Sequence, residues 1–592
     1  MADLEASAPA SADVAQLTLR AVASGMVLGA VLSLCNIYSG LKIGWGTNMS
    51  ITAALLGYAF WQLGQRLGKT SPFGIMENTV SQTAASAGAS ISSAGLVAPI
   101  PALTMLTGQT LAWQWLSVWV FSVACVGIVV GVGLRRQMLL VDKLPFPFGI
   151  ATAETLKEMY ARGAEAMARV RALLLAGGMA AAVKSAEELL KLPKVPVPGS
   201  MKLASGTATL KNLGFAFEPG LLFVGVGALI GPRACVSLLL GAAVGWGVIA
   251  PEVLDRGWAM AGKPGDVWFG PLVKWMLWPG VALMVSSSLT SFLLSARSIV
   301  RAFAGARGGG RSVAEAEGYD FRRKRFFSLL AVVALVSVVL QVALFGIRWY
   351  VALFGVGLTF VLAIVAGRVS GETGITPVGA MGKVTQLSFG AVAPGDATTN
   401  LMAANVTGGA ASQCADMLHD LKAGHLLGAW PRPQAIAQVL GVLAGALVGS
   451  AAYLVLVPDP KGMLLTKDWP APAVAQWKAV AEVFQKGIET MPAGALHAIA
   501  IAAAVGVVLA IAERLSPPKV RRFVPSPASM GLALVVPAYY SIMMFLGGVI
   551  AWLVARRFKN WSDRFLVVIA SGLIAGESLA GVAFAIEKMF KG

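Results

Sequence analysis

Long apolar runs dominate the chain, each near or beyond the roughly 20 residues that a helix needs to cross a bilayer. They fall near 17–38, 47–65, 75–106, 112–134, 147–187, 219–252, 270–296, 326–346, 349–368, 399–418, 434–457, 491–513, 524–555 and 565–588. The run at 147–187 is weak and interrupted. Several others are too long for one crossing and carry Pro or Gly breaks, as at Pro99/Pro101, Pro232 and Pro537. Letting some count twice predicts an all-α polytopic membrane protein of roughly 14–16 transmembrane helices, with Pro-broken or re-entrant segments.

Two stretches interrupt the apolar pattern without a single charge. One runs from Asn400 to Ser412 and includes Asn405, Thr407, Gly408 and Gly409. The other runs from Asn78 to Ser90 and includes Ser81, Gln82, Thr83 and Ser86. Lipid cannot satisfy such groups, so these segments belong against a packed bundle or a watery cavity. A duplicated polar segment of this kind suggests a path for a substrate.

The order of features also repeats. Pro72 and Asn78 are spaced like Pro394 and Asn400, and Leu144-Pro145-Phe-Pro147 resembles Val524-Pro525-Ser-Pro527. Ser39-Gly40-Leu-Lys42-Ile-Gly44 weakly echoes Ser370-Gly371-Glu372-Thr-Gly374. Secondary transporters are commonly built from such repeats, with substrate held where they meet. Basic residues flank both Pro-x-Pro elements on each side, Lys519, Arg521 and Arg522 against Arg556, Arg557 and Lys559 in the second case. A single crossing cannot put both flanks on one side, so each element is expected to dip in and return.

Composition agrees with this pattern. Hydrophobic residues make up 57% of 592 and charged residues 13%, about half the charge of an ordinary soluble domain. The net charge of +18 follows from basic loops between spans rather than from a nucleic-acid surface. The stretch Arg297–Arg325 holds eight basic residues against three acidic ones and reads as a cytoplasmic linker. The expected organisation is a cytoplasmic tail over 1–16, transmembrane halves over 17–296 and 326–592, and the linker over 297–325. The first 13 residues carry Asp3, Glu5 and Asp13 without a basic residue, unlike a signal peptide. Cys35, Cys125, Cys235 and Cys414 lack paired spacing and suit packing better than disulfides or zinc.

Energy coupling by nucleotide hydrolysis finds no support. Gly379-Ala-Met-Gly382-Lys383-Val384 lacks the first glycine and the hydroxyl of a phosphate loop, and Gly225-Val-Gly227-Ala-Leu-Ile-Gly231 is a helix-packing pattern. No His-Glu-x-x-His occurs. Asp416, His419 and Asp420 share one short helical stretch, which leaves an intramembrane metal-dependent enzyme as a rival reading and a helix end beside Lys422 as the plainer one. No cofactor or resident metal is expected.

What remains are ionisable groups in or beside spans: Lys42, Glu77, Glu154, Glu372, Lys383, Asp396, Asp416, Glu577 and Glu587. Intramembrane charge is costly, so each is a functional candidate. Glu577 follows Ser571-Gly572-Leu-Ile-Ala-Gly576 inside a long apolar run, where it suits either proton exchange or a capped helix end. Glu372 suits a proton site or a substrate ammonium, and Glu77 invites the same reading from beside Asn78. Asn78, Gln82, Asn400 and Asn405 offer amides that match peptide groups, or that join helices to one another. Tyr38 and Tyr539 are further substrate-binding candidates.

Together, Asn36-Ile-Tyr-Ser-Gly40-Leu-Lys-Ile-Gly44-Trp, Ser370-Gly-Glu372-Thr-Gly374, Asn400 through Ser412, Ala415-Asp416-Met-Leu-His-Asp420-Leu-Lys422-Ala-Gly424-His and Ser571-Gly-Leu-Ile-Ala-Gly576-Glu577 resemble the oligopeptide transporter (OPT) family. The resemblance covers nearly the whole chain and looks closest to prokaryotic members and the yellow-stripe branch. It implies proton-coupled uptake of small peptides, or of peptide-like metal chelates, across a bacterial inner membrane. The expected partners are such a substrate, protons and the lipid bilayer, with a homodimer allowed and no nucleic acid. A channel is the rival from a different class.

Overall fold

A computed structural model describes residues 15–203, 206–294, 323–374, 376 and 378–591. Most of the expected tail, and the expected linker up to residue 322, lie outside the described residues. The chain is almost entirely helical. In order, its main helices are α1 (Leu19–Ile43), α2 (Ser50–Arg66), α3 (Ile75–Ala89), α4 (Pro99–Thr107), α5 (Trp113–Arg135), α6 (Pro147–Ala161) and α7 (Gly163–Leu190). There follow α8 (Leu222–Ile230), α9 (Pro232–Val244), α10 (Phe269–Leu294), α11 (Arg323–Phe345), α12 (Trp349–Thr373), α13 (Val378–Val392), α14 (Ala397–Leu427) and α15 (Pro431–Leu456). The last are α16 (Pro472–Lys486), α17 (Ala495–Leu515), α18 (Pro527–Val535), α19 (Ala538–Arg557) and α20 (Lys559–Lys591). Between α7 and α8 lie two small antiparallel pairs, β1 (Val195–Pro196) with β4 (Ala216–Phe217) and β2 (Ser200–Leu203) with β3 (Gly206–Thr209).

Among the described residues, 12 helices are long and apolar enough to cross a membrane. The protein is a multi-pass integral membrane protein. Long α14 is absent from that set because its polar stretch lowers its hydropathy, although its 31 residues span about 46 Å at 1.5 Å per residue. Three of the overlong apolar runs are broken where proline predicts. Gly95 (φ 131°) and Pro99 separate α3 from α4, Gly231 (φ 85°) and Pro232 separate α8 from α9, and Val536-Pro537 separates α18 from α19. Proline lacks the N–H that would continue the helix and instead opens the next one. The two Pro-x-Pro elements open α6 and α18, of 15 and 9 residues. Either is shorter than a crossing needs.

Helix ends are fixed locally. Thr18 and Asp396 cap α1 and α14 by accepting from Ala21 N and Thr399 N, and Gly44 (φ 95°) and Gly428 (φ 81°) close them. Packing follows a mirrored scheme. Helix α3 lies against α1, α2 and α15, while α14 lies against α12, α13 and α5. In a second group, α8 packs on α19 and α20 as α18 packs on α9 and α10, and α7 pairs with α20 as α17 pairs with α10. Asn78 and Asn400 occupy the same place in the mirrored α3 and α14, the fourth residue of each helix. Exposed side chains such as Leu174, Leu175, Leu335, Val339, Ile501 and Val508 form the outer apolar surface that lipid would cover.

Candidate functional site

Uncharged polar residues on α3, α14 and α15 meet inside the first helix group. Asp420, 2% exposed, accepts from Gln82 Nε2 at 2.8 Å and from Gln438 Nε2 at 3.0 Å. Gln434 Nε2 donates to the Asp420 carbonyl at 2.8 Å and to Thr83 Oγ1 at 3.2 Å. Gln413 extends the chain through Gln438 Oε1 at 3.4 Å. Asn78 lies one turn before Gln82 and donates to the Ala54 carbonyl at 3.2 Å.

Asn400 belongs to a second cluster. Its Nδ2 donates to the Gln386 carbonyl at 2.6 Å, and its Oδ1 accepts from Gln386 Nε2 at 3.1 Å. Gln386 Oε1 accepts from the fully buried Lys383 Nζ at 2.8 Å, which lies 4.5 Å from the centre of the Trp477 ring. Asn405 is separate from both. With its amide turned so that both atoms are satisfied, it donates to the Ala94 carbonyl at 3.1 Å and accepts from Trp119 Nε1 at 2.7 Å.

A third cluster gathers Tyr38, Tyr539 and Glu577. Lys42 Nζ donates to the Asp468 carbonyl at 2.5 Å and stands 5.0 Å from the Trp469 ring and 5.7 Å from the Tyr38 ring. Tyr539 donates to the Lys467 carbonyl at 2.9 Å, and Lys194 Nζ lies 3.4 Å over its ring while pairing with Glu218 at 3.0 Å. Glu577 is buried, and its Oε2 accepts from Leu221 N at 2.5 Å and Leu222 N at 2.7 Å where α8 begins. It caps orphan amides at the positive end of that helix.

The other two acidic candidates are ion-paired. Glu77 receives Arg20 through Nε at 2.7 Å and Nη2 at 2.5 Å, with Thr18 Oγ1 at 2.6 Å and Gly74 N at 3.2 Å. Glu372 is exposed at the end of α12 and pairs with Arg368 at 3.1 Å. The candidates therefore divide among several places instead of sharing one wall. His419, on which the enzyme reading leans, is buried; its Nδ1 accepts from Gly149 N at 3.3 Å, which leaves Nε2 to donate to Ser370 Oγ at 3.0 Å. Among the described residues, no three His, Cys, Asp or Glu side chains gather as a metal site.

Space for a solute lies elsewhere, on both sides of α18. One cavity of about 320 Å³ is bounded by Gly44, Trp45, Gln476, Ala528 and Ser529. Another of about 260 Å³ is bounded by Ser287, Ser288, Glu513, Ser526 and Ala528. The larger lies at the low end of the ~300–1,000 Å³ usual for ligand pockets. Ala528 belongs to both. The lining is hydroxyl, amide and apolar except for Glu513, which Arg233 neutralises at 2.8 Å. None of the sequence-derived site residues lines either cavity. Two sequence signals did point there, the Gly44-Trp45 end of the first motif and the Pro525-Ser-Pro527 element, but neither was read as substrate-contacting.

The sequence matches the family described as OPT oligopeptide transporter protein over residues 16–587. The chain belongs to that family. Relatives are similar along nearly their whole length. A Saccharomyces cerevisiae protein named "Putative oligopeptide transporter" is 25% identical, with 96% of this chain and 95% of that protein aligned. A "Probable metal-nicotianamine transporter" of Oryza sativa subsp. japonica is 25% identical over 95% of this chain and 84% of its own. A "Metal-nicotianamine transporter" of Arabidopsis thaliana is 23% identical over 95% and 92%. This OPT protein is thus a transporter by family, and its polar clusters are to be understood in a protein that moves a solute.

Proposed function

We propose that this OPT protein is a secondary active transporter that couples inward proton movement to uptake of small oligopeptides across the bacterial inner membrane. The observation that carries the reading is the pair of cavities meeting at Ala528. They adjoin a short broken helix, and interrupted helices at repeat interfaces are where secondary transporters hold substrate. Neutral hydroxyl and amide groups on the walls suit the amides of a short peptide. Tyr38 and Lys42, linked to Tyr539 through Tyr540, supply aromatic faces and a cation at the end of α1 that leads into Gly44-Trp45. Of the three acidic candidates, Glu577 is the buried one with no ion pair among the described residues, and it is the proposed carrier of the coupling proton. Asn78, Gln82, Asn400 and Asn405 then act by holding the walls in place.

A metal chelate is the second reading, favoured by the names of the plant relatives. Proteoliposomes holding the full chain, with an imposed pH gradient, test both. Saturable accumulation of di- to tetrapeptides is expected, with glutathione and iron chelates as competitors. Transport of the chelates alone would replace the peptide reading, and downhill flux without saturation would indicate a channel. PH-gradient dependence that persists in Glu577→Gln and Glu372→Gln would remove those carboxyls from the coupling step.

A further inference from the structure

We propose that Asp420 is a second proton-binding site of this protein, and that Gln82 is the amide that changes its bonding when the proton arrives. The proposal rests on the proton-coupled reading for its role in transport, but not for its chemistry. Asp420 is enclosed by amides from two other helices, Gln82 on α3 and Gln434 and Gln438 on α15, all at most 2% exposed. Among the described residues no Lys, Arg or His forms a salt bridge with it. A carboxylate sealed from water without a counter-ion is a candidate for taking up a proton instead.

The decisive detail is Gln82 Oε1. It is buried and has no hydrogen-bond donor, although its partner atom Nε2 donates to Asp420 Oδ1 at 2.8 Å. Buried acceptors are rarely left without a donor. Gln434 Oε1 in the same cage also lacks a donor; protonation of Asp420 supplies a hydroxyl donor at Oδ1, the oxygen that Gln82 faces. When an O–H bond forms at Oδ1 and the Gln82 amide turns by half a revolution, that hydroxyl meets the orphan oxygen. Gln438 needs no such turn, since it donates to Oδ2 at 3.0 Å and accepts from Gln413 at 3.4 Å. The turn replaces the bond from Gln82 Nε2 to Asp420 by one from the new hydroxyl to Gln82 Oε1, while Gln438 keeps its bonds in both charge states.

Partly exposed polar groups lie one turn away. Asp416 is partly exposed, and Ser90, Ser93 and Ser412 nearby also retain exposure. On the elements packed here the ionisable groups are Asp416, His419, Lys422 and His425 on α14, Glu77 on α3 with its partner Arg20 on α1, Glu154, Lys157 and Glu158 on α6, Arg135 on α5, Arg368 and Glu372 on α12, Lys383 on α13 and Arg432 on α15. Of these, Asp416 lies one turn from Asp420 on the same helix.

Infrared difference spectra of the reconstituted full chain, taken across a pH titration, read the site directly. A carboxylic-acid carbonyl band is expected that disappears in Asp420→Asn and survives in Glu577→Gln. Gln82→Met is expected to keep the band but move it to higher frequency, because the acid loses its acceptor. That variant also serves if Asp420→Asn does not fold. A spectrum with no acid band removed by Asp420→Asn, or a band unmoved by Gln82→Met, would overturn the proposal. Loss of the band in Asp420→Asn, together with wild-type uptake indifferent to a pH gradient, would keep the site and discard the coupling reading.

Discussion

Replacing Gly88 by alanine tests the claim that the polar segment on α3 is held by backbone-to-backbone packing. A Cβ at Gly88 would stand 2.8 Å from the Gly441 carbonyl oxygen on α15 and 3.0 Å from Gly29 Cα on α1. Ordinary contact begins near 3.4 Å, so α15 would have to withdraw by about 0.6 Å and α1 by about 0.4 Å in a close-packed interior. Both obstacles are backbone, so no side chain can rotate out of the way, and α1 and α15 also pack on each other. Overpacking of this kind costs about 1–3 kcal/mol. Gly178 on α7 is the control, because a Cβ there meets nothing within 4 Å. Alanine at that position is expected to be neutral or to stabilise by up to about 1 kcal/mol through helix propensity. The assay is thermal unfolding of purified protein followed with a thiol-reactive dye, since the four cysteines are free and three are buried. Gly88→Ala should melt a few degrees below the parent, and Gly178→Ala at or slightly above it. Equal melting of Gly88→Ala and the parent would show that this three-helix contact is looser than described.

Other outcomes follow from the same geometry. Ala528→Trp should fill the space shared by the two cavities and abolish uptake in proteoliposomes while the melting temperature stays near the parent's; retained uptake would place the substrate elsewhere. Glu77→Gln keeps a bond from Thr18 but removes the charge opposite Arg20, and should cost about 1–2 kcal/mol, read as a lower melting temperature that added salt does not deepen. Single cysteines at Arg522 and Arg557 should label from the same side of the membrane if the segment through α18 and α19 returns on itself. Labelling from opposite sides would make it one bent crossing.

The broad architecture was legible because its signals are local. Pro232 and Pro537 break their helices where they stand in the sequence, and the Asn78 and Asn400 positions coincide because each follows the same short approach from a proline. The site was less legible because its partners are remote. Gln82 reads as a peptide-binding amide until Asp420, 338 residues away, is seen to receive its N–H. Glu577 reads as a lone buried acid until the first amides of α8 are found at its oxygen. Glu77 and Glu372 look alike as intramembrane acids, and only the approach of Arg20 to one and Arg368 to the other shows both to be paired. The cavities left almost no mark, since alanine, serine and glycine line them and those residues pervade the chain.

The distribution of small residues also bears on where such a transporter could change shape. The α1–α3–α15 contact is made by main chain against main chain at Gly25, Gly29, Gly88, Gly441 and Gly445. Contacts of that kind leave little room for sliding, because any shift soon meets a carbonyl. At α18 main chain also meets main chain, Gly531 against Gly280 and Met530 against Gly241, but two cavities flank its nine residues and a proline break ends it at Val536-Pro537. A packed bundle moves as a body while an interrupted helix beside empty volume can pivot. Both helix groups are therefore tightly seamed, and the free volume lies along α18 rather than in the seam that holds Asp420.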